Sequence, residues 1–238
     1  MTTLHLRLLI IACLLGCGNL RAQQGDKTSA IPVVVDSLYR EDQFYIGLSF
    51  NLINDNGGGF SQNGFSGGLH LGFIRDMPLN KQRNLAIGLG AGLSTNVYNT
   101  NLYIGPQMEG ITQYQLFNDN LETGSNRFYT NLVEVPLQLR WRTSTPTRFT
   151  FWRVYAGFKF SYLFHFNSSS KVSLGNHSEN DPTGLDRLRY AATLSIGNGS
   201  FNAFIDYNLN ALIDAPLASG IASIELQPIK IGIKFYLL

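Results

Sequence analysis

The stretch Leu85-Ala86-Ile87-Gly88-Leu89-Gly90-Ala91-Gly92-Leu93-Ser94 decides the fold. Large apolar residues recur at every second position but one, where Ala91 stands, and only glycine, alanine or serine separates them. A strand turns successive side chains to opposite faces, so this period gives one apolar face and one face of small residues. The pattern continues on both sides. Upstream, Phe44, Ile46, Leu48, Phe50 and Leu52 alternate with Tyr45, Gly47, Ser49 and Asn51. Phe65, Gly67, Leu69, Leu71 and Phe73 then alternate with Ser66, Gly68, His70 and Gly72. Downstream the apolar sets are Val133 to Trp141, Trp152 to Phe164, Leu188 to Ile196, Phe201 to Ala211 and Ile229 to Leu237.

That makes eight segments of about 10 residues, the length a tilted strand needs to cross a bilayer. The connectors alternate. Those at residues 53–64, 96–127, 165–186 and 212–223 are long, and those at 74–84, 142–151 and 197–200 are shorter. Asn198-Gly199 in the last is a two-residue hairpin signal. Long loops at one end and short turns at the other match an outer-membrane barrel, with the turns and both chain ends periplasmic. Phe44, Phe73, Trp141, Trp152, Phe201 and Phe235 sit near the turn ends, as an interfacial girdle would. A soluble sandwich or lipocalin-like barrel also alternates, but leaves a charged face to water. Here that face is mostly Gly, Ser, Asn and Thr, which suits the narrow interior of an eight-stranded barrel. Pro136 removes an amide from the fourth segment, and a bulge is expected there.

Composition agrees. Only 14% of the 238 residues are charged, against about 25% in an average soluble domain. Aromatics make 12%, there are 24 glycines, and mean hydropathy is −0.01. Disorder is excluded by the aromatics. No apolar run of helix-spanning length follows the first 20 residues. A nucleic-acid partner is not expected, because the net charge is only +2.

Residues 1–22 read as a cleaved signal peptide: Arg7, then Leu8 to Leu15, then Leu20-Arg21-Ala22. Leu14-Leu15-Gly16-Cys17 also resembles a lipobox, which leaves lipoprotein processing open. Cys13 and Cys17 are the chain's two cysteines, so cleavage after Ala22 leaves none for a disulfide or a metal. Arg7 and Arg21 leave with the leader and no acid does, so the +2 belongs to the leader. Residues 23–42 form a periplasmic N-terminal segment in this reading. Its Ile31-Pro32-Val33-Val34-Val35 would be an edge strand, a plug or a partner-binding peptide. Residues 43–238 form the barrel domain.

Three stretches carry a family resemblance. They are Gly64 to Phe73 (GFSGGLHLGF), Leu132 to Arg140 (LVEVPLQLR) and Ile231 to Leu238 (IGIKFYLL). Together they resemble the PorT-type outer-membrane β-barrels of Bacteroidota. The resemblance implies an outer-membrane location and, for founding members, a part in type IX secretion and gliding. The last strand also resembles the signal read by barrel assembly machinery, with Lys230, Ile231, Gly232, Phe235 and Leu237 at its positions. Leu237 is aliphatic where an aromatic is usual.

Catalysis is not expected. His70 points inward among glycines, His165 ends the fifth segment, and His177 lies in a polar loop, with no metal-ligand spacing among them. Gly57-Gly58-Gly59 and Gly88–Gly92 lack the Lys-Ser/Thr of a phosphate loop. No cofactor is expected. The inward charges are more informative: Glu134, Arg140, Arg153, Lys159, Arg187, Arg189, Asp206, Lys230 and Lys234 should face the lumen. They form either a hydrated network that plugs the barrel or a narrow anion-preferring passage. Outer loops carry Asp55, Glu109, Asp119, Glu122, Glu179, Asp181, Asp186 and Asp214 against Arg127 and Lys171. The turns carry Arg75, Lys81, Arg83, Arg142 and Arg148 against Asp76. A basic turn rim would suit an acidic periplasmic partner. Tyr98, Tyr103, Tyr114 and Phe117 either contact a ligand or continue strands above the membrane.

The sequence therefore predicts an eight-stranded antiparallel transmembrane up-and-down β-barrel. Its expected role is a non-enzymatic, PorT-like envelope component that acts through partners. A small porin or ligand-binding barrel is the alternative. Outer-membrane lipid, the assembly machinery and a periplasmic or secretion-system protein are the expected partners.

Overall fold

The computed structural model describes residues 42–55, 59–108, 110–117, 126–143, 152–172, 175–218 and 222–237. The leader and most of the 23–42 segment lie outside the described residues, as do Glu109, Asp119, Glu122 and Arg148. Among the described residues every regular element is a strand. The barrel is built by β1 (Gln43–Asp55), β2 (Gly67–Pro78), β3 (Leu85–Thr100), β6 (Asn126–Arg142), β7 (Trp152–Val172), β9 (Leu188–Asn198), β10 (Phe201–Asn208) and β12 (Ser223–Leu237). Each is antiparallel to its neighbours, and β1 pairs with β12 from Phe44↔Leu237 to Asp55↔Leu226. That seam closes the sheet and leaves the barrel without an open edge.

The register is staggered. From Arg140, successive partners are Tyr155, Ser195, Phe204, Gly232, Ser49, Gly68, Asn96 and Thr130. One circuit thus returns to β6 at Thr130 rather than at Arg140. Such a stagger tilts the strands and sets a bore that side chains can fill. All of these residues face inward.

The expected faces are observed. Phe44, Leu48, Leu93, Phe158 and Ile233 are each more than half exposed, while Tyr45, Ser94, Lys159 and Lys234 are buried. A soluble fold does not expose so continuous an apolar wall, but lipid solvates it. Trp141, Trp152, Phe44 and Phe201 stand exposed at the turn end, with Phe44 4.9 Å from Phe73 and Phe201 4.8 Å from Phe235.

Three local expectations are corrected. Pro136 produces no bulge: the β3–β6 register is the same at Leu89↔Leu137 and Gly92↔Glu134, and the two bridges between are missing because proline brings no donor. The irregularity falls instead between Asn131 and Leu132, where β7 carries the extra Phe164. The β9–β10 turn is Gly199-Ser200, since Asn198 already pairs with Phe201. Gly199 takes φ 59°, the positive φ that a type II′ turn places at its first central residue. The long connectors are also largely strand. β7 runs to Val172 and pairs with β8 (Gly175–Glu179), while β11 (Ile213–Pro216) pairs with β12. Between β3 and β6, β4 (Leu102–Met108) and β5 (Ile111–Leu116) form a separate two-stranded sheet.

Candidate functional site

The inward face organises into layers. At the turn end, Asp76 on β2 receives Arg140 and Arg142 from β6, and Arg140 also donates to Gln43. The Arg140 guanidinium lies 3.9 Å from the Tyr155 ring centroid and 5.7 Å from that of Tyr236. A planar guanidinium can hydrogen-bond in its plane and stack on its faces together, which lysine cannot. Room for these groups comes from glycine. A Cβ on Gly88 would come 2.5 Å from Arg140 Cδ, and one on Gly72 or Gly92 would meet the Tyr45 hydroxyl.

The middle layer centres on Glu134. Its carboxylate accepts from Ser94 Oγ at 2.8 Å and lies 3.1 Å from Lys159 Nζ, 3.7 Å from His70 Nδ1 and 4.0 Å from Lys230 Nζ. Lys159 also reaches Asp206 at 2.5 Å. Lys234 stands 4.0 Å from the Phe204 ring centroid. A buried charge is tolerable only when paired and hydrogen-bonded, and this layer draws its groups from six strands. β6 and β12 lie four places apart around the eight-stranded ring, so Glu134 and Lys230 meet from opposite walls. Above them Ser49, His70, Asn51, Asn96 and Thr130 are linked by side-chain hydrogen bonds of 2.7–3.4 Å.

The long-loop end is closed differently. Tyr98, Phe128, Leu132, Leu163, Phe166, Leu212, Ile224 and Leu226 form one apolar cluster with Leu102, Ile104 and Tyr114 of the β4–β5 hairpin. Phe128 stacks on Tyr98 at 4.8 Å and lies 5.6 Å from Phe166. The hairpin is held by Tyr114 Oη, which donates to the Thr183 carbonyl at 2.6 Å, and by Thr183 N, which donates to Thr112 Oγ1 at 2.8 Å. Burial raises the Tyr114 phenol above its ordinary pKa.

Of the predicted lumen residues, Glu134, Arg140, Arg153, Lys159, Arg189, Asp206, Lys230 and Lys234 are buried, and two of the set differ in their contacts. Arg189 is buried, but it donates to the Ala211 and Asn210 carbonyls rather than to a carboxylate. Arg187 does not join the network. It precedes β9 and reaches Asp181 at 2.6 Å in the long-loop region, where its side chain is 36% exposed. The turn-rim reading is corrected too: Asp76 and Arg142 are strand residues buried in the lumen. Their signal was present, because the alternation continues three residues past Phe73 to Asp76 on β2 and one past Trp141 to Arg142 on β6. His70 is buried with Nε2 3.0 Å from Ser49 Oγ. His177 lies on β8, its ring 6.5 Å from that of Tyr103. Tyr98 continues β3 into the cap, whereas Tyr103 and Tyr114 belong to the hairpin. Among the described residues no group of three His, Cys, Asp or Glu is placed to hold a metal.

Three solved structures are similar. Ail, the attachment invasion locus protein of Yersinia pestis, in complex with the heparin analogue sucrose octasulfate, is 12% identical, over 84% of this chain and 100% of that one, with a TM-score of 0.38. A second Ail structure is 10% identical over 82% and 97%, with a TM-score of 0.34. A triple mutant of the Rhodopseudomonas blastica porin is 7% identical over 84% and 100%, with a TM-score of 0.20. At such scores none of them carries an argument. No curated protein sequence matches the chain. The outer membrane protein beta-barrel domain model matches residues 22–215, and with the closed eight-stranded sheet this makes the chain a member of that outer-membrane β-barrel family.

Proposed function

We propose that this barrel is a non-enzymatic envelope component that acts through partners, PorT-like and associated with type IX secretion or gliding. The observation that carries the reading is the filled interior. Glu134 and Lys230 meet across the lumen, and the apolar cap lies over it at the long-loop end. A barrel filled in this way offers surfaces rather than a bore. The resemblance of the Gly64, Leu132 and Ile231 stretches supports the PorT-like role. In this reading residues 1–22 are removed, and the turns and the 23–42 segment face the periplasm. Exposed Lys81 and half-buried Arg83 on the β2–β3 turn then form a rim for an acidic secretion-system protein. Barrel assembly machinery would read Lys230, Ile231, Gly232, Phe235 and Leu237 on the closing strand, and deleting 235–238 should leave the chain uninserted. Affinity purification from outer membranes in mild detergent tests the role. Secretion or gliding proteins should co-purify. A barrel that purifies alone, and whose deletion leaves secretion and gliding intact, contradicts it.

The second reading is a small porin or ligand-binding barrel. One observation favours it: among the described residues the buried Arg140, Arg142, Arg153, Lys159, Arg189, Lys230 and Lys234 outnumber the buried Asp76, Glu134 and Asp206. Planar-bilayer recording separates the two. Discrete anion-selective steps from pure protein would establish the second reading, and their absence would discard the porin.

A further inference from the structure

The lipid-facing wall is hollow around Ala91. This small residue lies opposite Phe73 and between Leu89 and Leu93 on the outward face of β3. The result is a groove of about 660 Å³, rimmed by Phe44, Leu71, Phe73, Leu93 and Val133. Gly72 and Gly92, paired with each other across β2–β3, thin the wall behind it. The lumenal Tyr45 holds that thinness in place, because a Cβ on either glycine would meet its hydroxyl at 2.5–2.6 Å.

Arg75 lies beside this groove. It is exposed, it sits two residues beyond Phe73 on the same face of β2, and it pairs with Leu89. Two residues of strand place it about 7 Å closer to the turn end. Phe44 and Phe73 mark the interfacial girdle there, so Arg75 is at headgroup depth while the groove is at acyl depth. It is the charged side chain facing outward among the described strand residues of the turn-end half. The neighbouring acid, Asp42 just before β1, accepts from the Asp76 amide at 3.1 Å, and a long arginine suits a phosphate, which it can bind in bidentate fashion.

We propose that the groove over Ala91 is a specific lipid site, holding an acyl chain of a phosphate-bearing lipid whose phosphate is bound by Arg75. Apolar depth and charge are placed in the order that a phospholipid presents them. A second copy of the chain would fill the hollow but would have to bring an acid to Arg75 at headgroup depth.

Native mass spectrometry of the full chain in mild detergent tests this, with phosphatidylglycerol and diacylglycerol of the same chains as probes. The wild type should take one phosphatidylglycerol in preference to diacylglycerol by about tenfold, the scale of one charge-assisted hydrogen bond. Arg75→Gln should lose that preference and keep the diacylglycerol adduct. Ala91→Phe should lose both adducts. Heat-modifiable migration on gels confirms that each variant is folded. Equal binding of the two lipids to wild type, or unchanged adducts in either folded variant, overturns the proposal. So does a two-chain species that Ala91→Phe dissociates, which would assign the groove to a second copy.

Discussion

The same strands cross two regions that are built on opposite rules. In the turn-end and middle parts, large apolar side chains face out and charged ones face in. In the cap the polarity inverts, and apolar side chains face in. On β6 the inward sequence changes from Phe128, Thr130 and Leu132 to Glu134, Gln138, Arg140 and Arg142. On β12 it changes from Ile224 and Leu226 to Lys230 and Lys234. On β3, Tyr98 gives way to Asn96 and Ser94. The cap is a small water-facing core, stabilised by removing apolar surface from water. Below it the surroundings are apolar, so the interior holds together through ion pairs and hydrogen bonds. The inversion therefore marks where lipid ends and water begins.

The largest way to break this contrast is to empty the middle layer. Glu134→Ala takes the carboxylate from Lys230 and leaves Lys159 with Asp206 alone, and should cost about 3–5 kcal/mol in denaturant unfolding from micelles. A cost within about 0.5 kcal/mol, as for a surface change, would mean that the network carries little stability. Leu226→Ala strikes the other region. It should cost about 2–5 kcal/mol, confined to the cap. Proteases should then cut the long-loop end while heat-modifiable migration persists. Simultaneous loss of both signals would show that the two regions are one cooperative unit. Tyr114→Phe removes one hydrogen bond to Thr183 and should loosen the hairpin by about 1 kcal/mol. Faster hydrogen exchange on β5, with β1 and β12 unchanged, is the expected result.

The barrel was legible in the sequence because eight segments between Phe44 and Leu237 alternate and their connectors alternate in length. The phase of each strand also placed Glu134, Lys159, Asp206, Lys230 and Lys234 inside. The cap was not legible. Its Phe128, Leu132, Phe166 and Leu226 are apolar residues on the inward face, in a phase that contradicts the strand below. The extra residue at Phe164 shifts β7 out of step as well. Arg187 was misplaced because the alternation of β9 was carried one residue past its start at Leu188, whereas Asp76 and Arg142 were missed by stopping too early.

One paired substitution tests the inversion most directly. Leu48 on the wall is 58% exposed and Ile111 at the hairpin is 54% exposed, so water accessibility alone treats them alike. The account predicts that Leu48→Arg costs about 2–4 kcal/mol in lipid vesicles, as a charge near the bilayer middle does. Ile111→Arg should stay within about 0.5 kcal/mol, as surface changes do. Equal costs at the two positions would contradict a lipid-facing wall beneath a water-facing cap.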